Sequence, residues 1–352
     1  MAESAPRTPA RELVLSAIAN AKLADRMMKA AVERTFQPNL ISGKSAEQIA
    51  RQAQSLLADV SPHHVSHNVL RRIERAKLSV NRSISFTTQM HEMSEARNLG
   101  VLRPSWKLDA KNAAYHFVDA IGARRPWSDK HTYKWADAPR EYPSVIKATR
   151  GTGSRGVYLL YSPDRIVHAK DGKELGGVAQ MDAHAHKLMS SQRPIPDRWM
   201  VEELILEDSQ RQLPARDLKF YVFYGEVMLV QESRRDEGLQ VAFWDADGSP
   251  TTTGRYEDVP LDGVGFTAEE AELVADISRS IPHQFMRIDM LKSEDGLVVG
   301  EFTPRPGSFD LFTREWDRKL GEAWLRAESR LYRDMLEGKS FKPFLDATQL
   351  LD

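Results

Sequence analysis

Apolar positions recur at three- and four-residue intervals through residues 8–35, 44–59 and 64–80, set among Ala, Leu, Arg, Lys and Glu, and this period predicts helices. Breaks fall at Gln37-Pro38-Asn39, Ser42-Gly43 and Ser61-Pro62, the last offering a cap and a first-turn proline to the helix that follows. Helical spacing continues over Thr87–Leu99 and Asn112–Ile121, with Asp109 placed to cap the second. From Tyr142 the period falls to two. Strands are expected on both sides of a glycine loop in Tyr142–Tyr161 and again at Trp199–Ile205. Asp217–Phe223 turns through Tyr224-Gly225-Glu226 into Val227–Gln231, and Phe285–Leu291 turns through Ser293-Glu294-Asp295-Gly296 into Leu297–Phe302. Helices return over 267–280 and, capped by Thr313, to about Leu336. Residues 168–197 read as loop with a short helix, Gly122–Trp127 as loop or edge strand, Asp129–Pro143 as connector and Phe341–Asp352 as a tail without a site. Helices and antiparallel hairpins in one chain make the expected class α+β.

At 352 residues and 41% hydrophobic, the chain can bury a sizeable core in two or three subdomains. Its longest apolar runs, such as Val227–Val230 and Leu297–Val299, are too short to span a bilayer, and MAESAPRTPARELVL lacks the apolar stretch of a signal peptide. A cytoplasmic location without a transmembrane segment is therefore expected. With no cysteine, disulfides, thiolate metal sites and cysteine nucleophiles are excluded, so any metal must be held by oxygen or histidine. A formal net charge of −1 argues against a nucleic-acid partner. The basic run Arg71–Lys77 suits a solvated helix face better than an acidic partner or lipid head groups. His63, His64 and His67 cluster near a helix start with no matching acid beside them and are assigned no role.

Two stretches carry candidate chemistry. In Arg287-Ile288-Asp289 the strand period puts Arg287 and Asp289 on one face, and Glu301 with Thr303 can share a face on the partner strand. Paired carboxylates beside an arginine suit Mg²⁺ that also touches substrate phosphates; the alternative is a surface hairpin with a cross-strand ion pair. Gly151, Gly153 and Gly156 spell G-x-G-x-x-G, but Val-Tyr-Leu-Leu-Tyr follows, a strand where a dinucleotide fingerprint must open a helix. The Gly-Lys-Ser/Thr of a Walker loop is missing, as are the H-R-D and D-F-G segments of protein kinases. What remains is a hairpin tip able to close its N–H groups over phosphates, with Lys147 at its base, or else an ordinary glycine turn.

Taken in order, Lys111 before a helix, Lys147 before the glycine hairpin, the strand Glu202-Glu203-Leu204-Ile205, Asp217-Leu218-Lys219, Arg287-Ile288-Asp289 and Gly300-Glu301-Phe302-Thr303-Pro304-Arg305-Pro306-Gly307 resemble the ATP-grasp superfamily. Together with Glu315-Trp316-Asp317-Arg318-Lys319-Leu320-Gly321, they look most like the TupA-like ATP-grasp proteins tied to teichuronopeptide and cell-surface polymer synthesis. The resemblance covers roughly Pro104–Trp324 and implies two α+β subdomains gripping ATP. It divides the chain into a helical extension over 1–100, a leading segment over 101–141, a lid subdomain over 142–205, a Mg²⁺-binding subdomain over 206–340 and a tail over 341–352.

By the same resemblance, Lys111 and Lys147 are the lysines on ATP phosphates, and Gly151, Gly153, Ser154 and Gly156 form the phosphate lid. Glu202, Glu203, Leu204 and Ile205 form the hinge that reads adenine, with Glu207 or Asp208 on the ribose. Asp289 and Glu301 match the Mg²⁺ carboxylates, and Thr303 stands where the family commonly has Asn, a weaker neutral ligand. Arg287 matches the cation at the transferred phosphoryl group, and Lys219 and Arg305 complete the expected catalytic set. Lys147 is followed by Ala-Thr-Arg rather than the frequent proline. The activity implied is ATP-dependent joining of a carboxylate to an amine through an acyl phosphate, with a saccharide or peptide as acceptor. A small-molecule kinase and a degenerate nucleotide-binding regulator are the alternatives. The N-terminal helices are left as scaffold or homodimer contacts.

Overall fold

The computed structural model describes residues 9–36, 54–55, 57, 59–76, 78, 80, 83–101, 103–129, 131–149, 154–235 and 238–349. The chain divides into two compact units, Met1–Thr88 and Gln89–Asp352.

In the N-terminal unit the first expected helix is present as α1, Pro9–Thr35. The 44–59 helix falls mostly outside the described residues, with Gln54 and Ser55 helical. The 64–80 helix is shorter than expected. Ser61-Pro62 opens only a 3₁₀ turn, Pro62–His64, and the α-helix α2 begins at His67, where the Ser66 side chain accepts from Val69 N–H, and ends at Arg75. Val32, Phe36, Leu57, Val60, Val69, Ile73 and Val80 make this unit's core, while Leu13, Ile18 and Leu23 on α1 are exposed. Helix α3, Phe86–Asn98, runs across the division.

The larger unit opens with α4, Lys111–Ala120. Its N-cap is Ala110, without a side-chain cap, because Asp109 closes the preceding 3₁₀ turn instead. Strands β1 (Ser144–Ala148) and β2 (Val157–Ser162) flank the glycine loop as expected. In 168–197, read as loop with a short helix, the helix is α5 (Val178–Met189), three turns long, while β4 (Lys173–Leu175) stands where loop was expected and β3 (Arg165–His168) ends at the first residue of the range. Strand β5 (Trp199–Glu202) stops before the expected Ile205, and Leu206–Asp208 and Leu213–Pro214 pair as β6 and β7. The first five strands form an antiparallel sheet in the order β4-β3-β2-β1-β5. Its alternation sends Ile146, Ala148, Tyr158, Leu160, Trp199 and Val201 into a core closed by Trp135 and α5.

A second antiparallel sheet, in the order β10-β9-β8-β11-β12, is built from Arg216–Val222 (β8), Val227–Arg234 (β9), Gln240–Asp245 (β10), Met286–Ser293 (β11) and Gly296–Thr303 (β12). The β11–β12 turn is tighter than the four residues expected, since Ser293 pairs with Gly296 and only Glu294 and Asp295 lie between. Leu218, Phe220, Ile288, Met290 and Phe302 are buried on this sheet. A reciprocal Thr267–Glu270 capping box opens α6 (Ala268–Arg279), and Thr313 caps α7 (Arg314–Leu336) through Trp316 N–H. The tail is a packed element: α8, Lys342–Gln349, buries Phe344 edge-on against Phe117 of α4.

Candidate active site

Register places the second sheet's charged residues. Lys219 on β8 pairs with Asp289 on β11, which pairs with Glu301 on β12, so the three form one row across adjacent strands. The next row holds Tyr221, Arg287 and Thr303. Gly300 sits in a bulge between the Asp289–Glu301 and Met290–Val299 pairs, where a Cβ would stand 3.2 Å from the Asp289 carbonyl oxygen, closer than a side chain is comfortably held.

Asp289 is buried and fully engaged. Arg287 donates to it from Nε and Nη2, both at 2.7 Å, and Lys219 Nζ donates at 3.0 Å. Burial alone would raise the carboxyl pKa, but these two cations outweigh it and hold it below the ordinary value. The arginine also donates to Thr303 Oγ1 at 3.0 Å, and the lysine to Asp217 Oδ1 at 2.7 Å. Glu301 is the opposite case. Although its side chain retains solvent exposure, burial of the carboxyl and then the Asp289 charge push its pKa up. A carboxylate held against a second one, with no ion-pair partner of its own among the described residues, suits a divalent ion with oxygen preference, so these residues fit Mg²⁺, with Thr303 as a neutral oxygen.

A second cluster forms where α4 meets the first sheet. Lys147 pairs with Met200 and Val145 with Glu202, so Lys147 and Glu202 are diagonal neighbours on one face and form an ion pair. The Tyr115 hydroxyl donates to the other oxygen of Glu202. Burial opposes the Lys147 charge, yet Glu202 and Tyr115 keep its pKa above the ordinary value. Lys111 lies beside Lys147 within hydrogen-bond reach, and burial followed by the Lys147 charge brings its pKa down to about 8. Its place at the first position of α4 adds the positive end of the helix. Lys111 at the helix N-terminus, with Lys147 of β1 near it, fits an anion. Phe117 of α4 packs edge-on against Phe302 of β12, which brings the element carrying Lys111 beside the strand carrying Glu301.

The other expected residues are placed as follows. Gly151 and Gly153 lie outside the described residues. Ser154 and Gly156 both have left-handed backbone, with φ of 60° and 74°. Glu203 holds Trp127 N–H and Arg124 with its carboxylate, while its own N–H donates to the Trp127 carbonyl. Leu204 and Ile205 are buried, and the Ile205 carbonyl accepts from Ala215 N–H. Glu207 accepts from Arg216 Nε at 2.6 Å, and Asp208 from Arg211 N–H at 2.9 Å, so both ribose candidates already have partners. Arg305 is exposed, with its guanidinium 6.0 Å from the centre of the Phe309 ring.

Sequence reasoning missed Tyr115 and the pairing of Glu202 with Lys147. The signal for Tyr115 was available, since it follows Lys111 by four residues on a helix and so shares its face. The buried carboxylate of Glu232 was also missed; it accepts from Arg216, Trp244, Val264 N–H and Gly265 N–H and is thereby satisfied inside the protein.

The family described as TupA-like ATPgrasp matches residues 92–325. No curated protein matches the sequence. Among solved structures, D-alanine–D-alanine ligase from Bacillus anthracis is similar at 14% identity and a TM-score of 0.43, covering 84% of this chain and 97% of that one. The ATP-grasp ligase PsnB complexed with its minimal precursor is similar at 13% identity and a TM-score of 0.38, covering 74% of this chain and 72% of that one.

Proposed function

Since the chain belongs to the TupA-like ATP-grasp family, an ATP-grasp ligase-type lineage, we propose that it joins a carboxylate to an amine at the expense of ATP, through an acyl phosphate. The observation that carries this reading is the row of Lys219, Asp289 and Glu301 across adjacent strands, with α4, which carries Lys111, packed on β12 through Phe117 and Phe302. Lys111 and Lys147 hold the ATP phosphates, and Ser154 and Gly156 with the preceding glycines cover them. Arg287 and Lys219 lie where they can balance charge on the transferred phosphoryl group. Glu301 and Asp289, with Thr303, would hold Mg²⁺, which when bound supplies charge neutralisation at the phosphates. A substrate carboxylate oxygen attacks the γ-phosphorus and ADP leaves. The amine nitrogen then attacks the acyl carbon, phosphate leaves, and the amine loses a proton. Closure of the site excludes water that would hydrolyse the acyl phosphate.

The acceptor class we favour is a saccharide- or peptide-borne group in cell-surface polymer synthesis, in the cytoplasm. Self-association through α1, whose Leu13, Ile18 and Leu23 are exposed, is the corresponding proposal for the N-terminal unit. The test is ADP release screened over amino acids paired with sugar and peptide acceptors, with products read by mass. Release that requires both an acid and an amine supports the ligase. A phosphorylated product marks a kinase instead, and nucleotide binding without turnover marks a regulator.

A further inference from the structure

The 3₁₀ turn Pro62–His64 carries two adjacent histidines whose rings converge on one carboxylate of α1. His64 Nε2 lies 2.9 Å and His63 Nε2 3.2 Å from Asp25 Oδ1. Neighbouring side chains on a helical turn normally point apart, yet these two rings sit with centroids 4.0 Å apart and tilted by 52°. The acid that the local sequence lacks comes from 38 residues upstream of His63. Ser61 Oγ bonds His63 Nδ1 at 2.8 Å, which orients that ring and leaves Nε2 for the cluster. The His64 ring is mostly buried and its Nδ1 has no partner among the described residues, so its polar contact is made through Nε2. Among the described residues, this is the grouping in which three histidine or carboxylate groups each bring a ligand atom within 4.8 Å of the others.

We propose that Asp25, His63 and His64 bind a divalent transition-metal ion of the Zn²⁺ type, with water at the fourth position. The donor set selects the ion: imidazole nitrogen favours zinc and its neighbours, whereas Mg²⁺ and Ca²⁺ take oxygen. A tetrahedral ion with bonds of about 2.0–2.1 Å sets its ligand atoms about 3.3 Å apart. The observed 2.9 and 3.2 Å need to open by only a small amount, and each imidazole binds through Nε2 as its Nδ1–H tautomer, His63 then donating from Nδ1 to Ser61 Oγ. The bound ion would tie α1 to the turn that leads into α2, fastening two elements of the N-terminal unit that are far apart in sequence. This site lies outside the residues matched by the family and stands independently of the ligase reading.

The test is a Co²⁺ titration of the full-length, chelator-treated protein in excess Mg²⁺, which occupies the Asp289–Glu301 carboxylates. The wild type should take up one equivalent with the visible absorption of four-coordinate cobalt, and Zn²⁺ should bleach it. Asp25→Asn and His63→Gln should lose the band, while His67→Ala, at the start of α2, should keep it. His63 is 61% exposed, so its substitution is tolerated even if Asp25→Asn does not fold. No stoichiometric uptake by the wild type, or a band undiminished in His63→Gln, overturns the proposal.

Discussion

The two charged clusters of the larger unit are built alike with the signs reversed. In one, Lys147 is closed off by Glu202 and Tyr115, and Lys111 is left over. In the other, Asp289 is closed off by Arg287 and Lys219, and Glu301 is left over. The closed pairs are buried and shift toward holding their charges, whereas both leftover groups shift toward losing theirs. On the proposed reading the closed pairs hold the architecture as well as bordering phosphate and Mg²⁺, whereas the leftover charges act on ligands alone: phosphate for the lysine, a cation for the glutamate. Substitutions in the two classes should fail in different ways.

The largest expected effect is on folding, from Asp289→Asn. It leaves Arg287 and Lys219 buried without their shared carboxylate, a change that typically costs about 3–5 kcal/mol. Denaturant unfolding monitored by far-UV circular dichroism checks this. The sign with pH follows from the depressed pKa: the stabilisation is present at neutral pH and is lost as pH falls below the ordinary carboxylate value, through the folded one. A midpoint within about 0.5 kcal/mol of wild type would mean that the cluster is not a structural unit.

Glu301→Gln should do the reverse, sparing the fold and removing turnover. ADP formation is expected to fall on the order of 10²- to 10³-fold, the scale seen when one electrostatic contact to a transition state is removed. Because the Glu301 pKa is raised, ionising it in the folded state is unfavourable, and the wild type loses stability as pH rises from the ordinary carboxylate value through the folded one. The glutamine variant should lack that decline and match or exceed wild-type stability at neutral pH. Turnover at the wild-type rate would remove Glu301 from the site.

Lys111→Met tests the other leftover charge. Losing a charged hydrogen bond to phosphate should weaken ATP binding on the order of tenfold to a hundredfold. With a pKa of about 8, wild-type Lys111 is charged below that pH and loses its proton above it, so ATP affinity should fall with rising pH, by up to about tenfold per unit. Calorimetry across this range should show the slope in wild type and none in the variant. Identical slopes would assign the titration to another group.

Much of this site was legible because strand alternation is local. The shared face of Arg287 and Asp289 follows from a period of two, and the β11–β12 hairpin from its glycine-closed turn, whereas Lys219 and Lys111 entered as site residues only through the family resemblance. Register between distant strands is not local. Nothing near Lys147 in sequence marks Glu202 as its partner, and the acid that answers His63 and His64 lies on another helix. Polar composition concealed β3, β4 and the full length of α5, since Arg165–His168 and Lys173–Leu175 gain their strand character from neighbours in the sheet. The tail looked inert because the signal that α8 packs, Phe344 against Phe117, spans most of the larger unit.

The smallest effect expected is from Gly156→Ala, which probes how the glycine loop joins the lysine cluster. Gly156 has φ of 74°, and its carbonyl accepts from Ala148 N–H at 2.9 Å, closing the loop one residue beyond Lys147. An added Cβ would stand 2.9 Å from Ile195 Cδ1 and 3.4 Å from Ala148 Cβ, so both the backbone angle and the packing resist it. The left-handed conformation alone costs a non-glycine residue about 1–2 kcal/mol, well below the expected loss from Asp289→Asn. If the loop serves phosphate, the variant should bind ATP more weakly than wild type and adenosine equally well, because adenosine has no phosphates for the loop to cover. Hydrogen exchange at Ser154–Gly156 should slow on adding MgATP to wild type and respond less in the variant. Equal weakening toward ATP and adenosine would make Gly156 a packing residue of the first sheet, leaving phosphate recognition to Lys111 and Lys147.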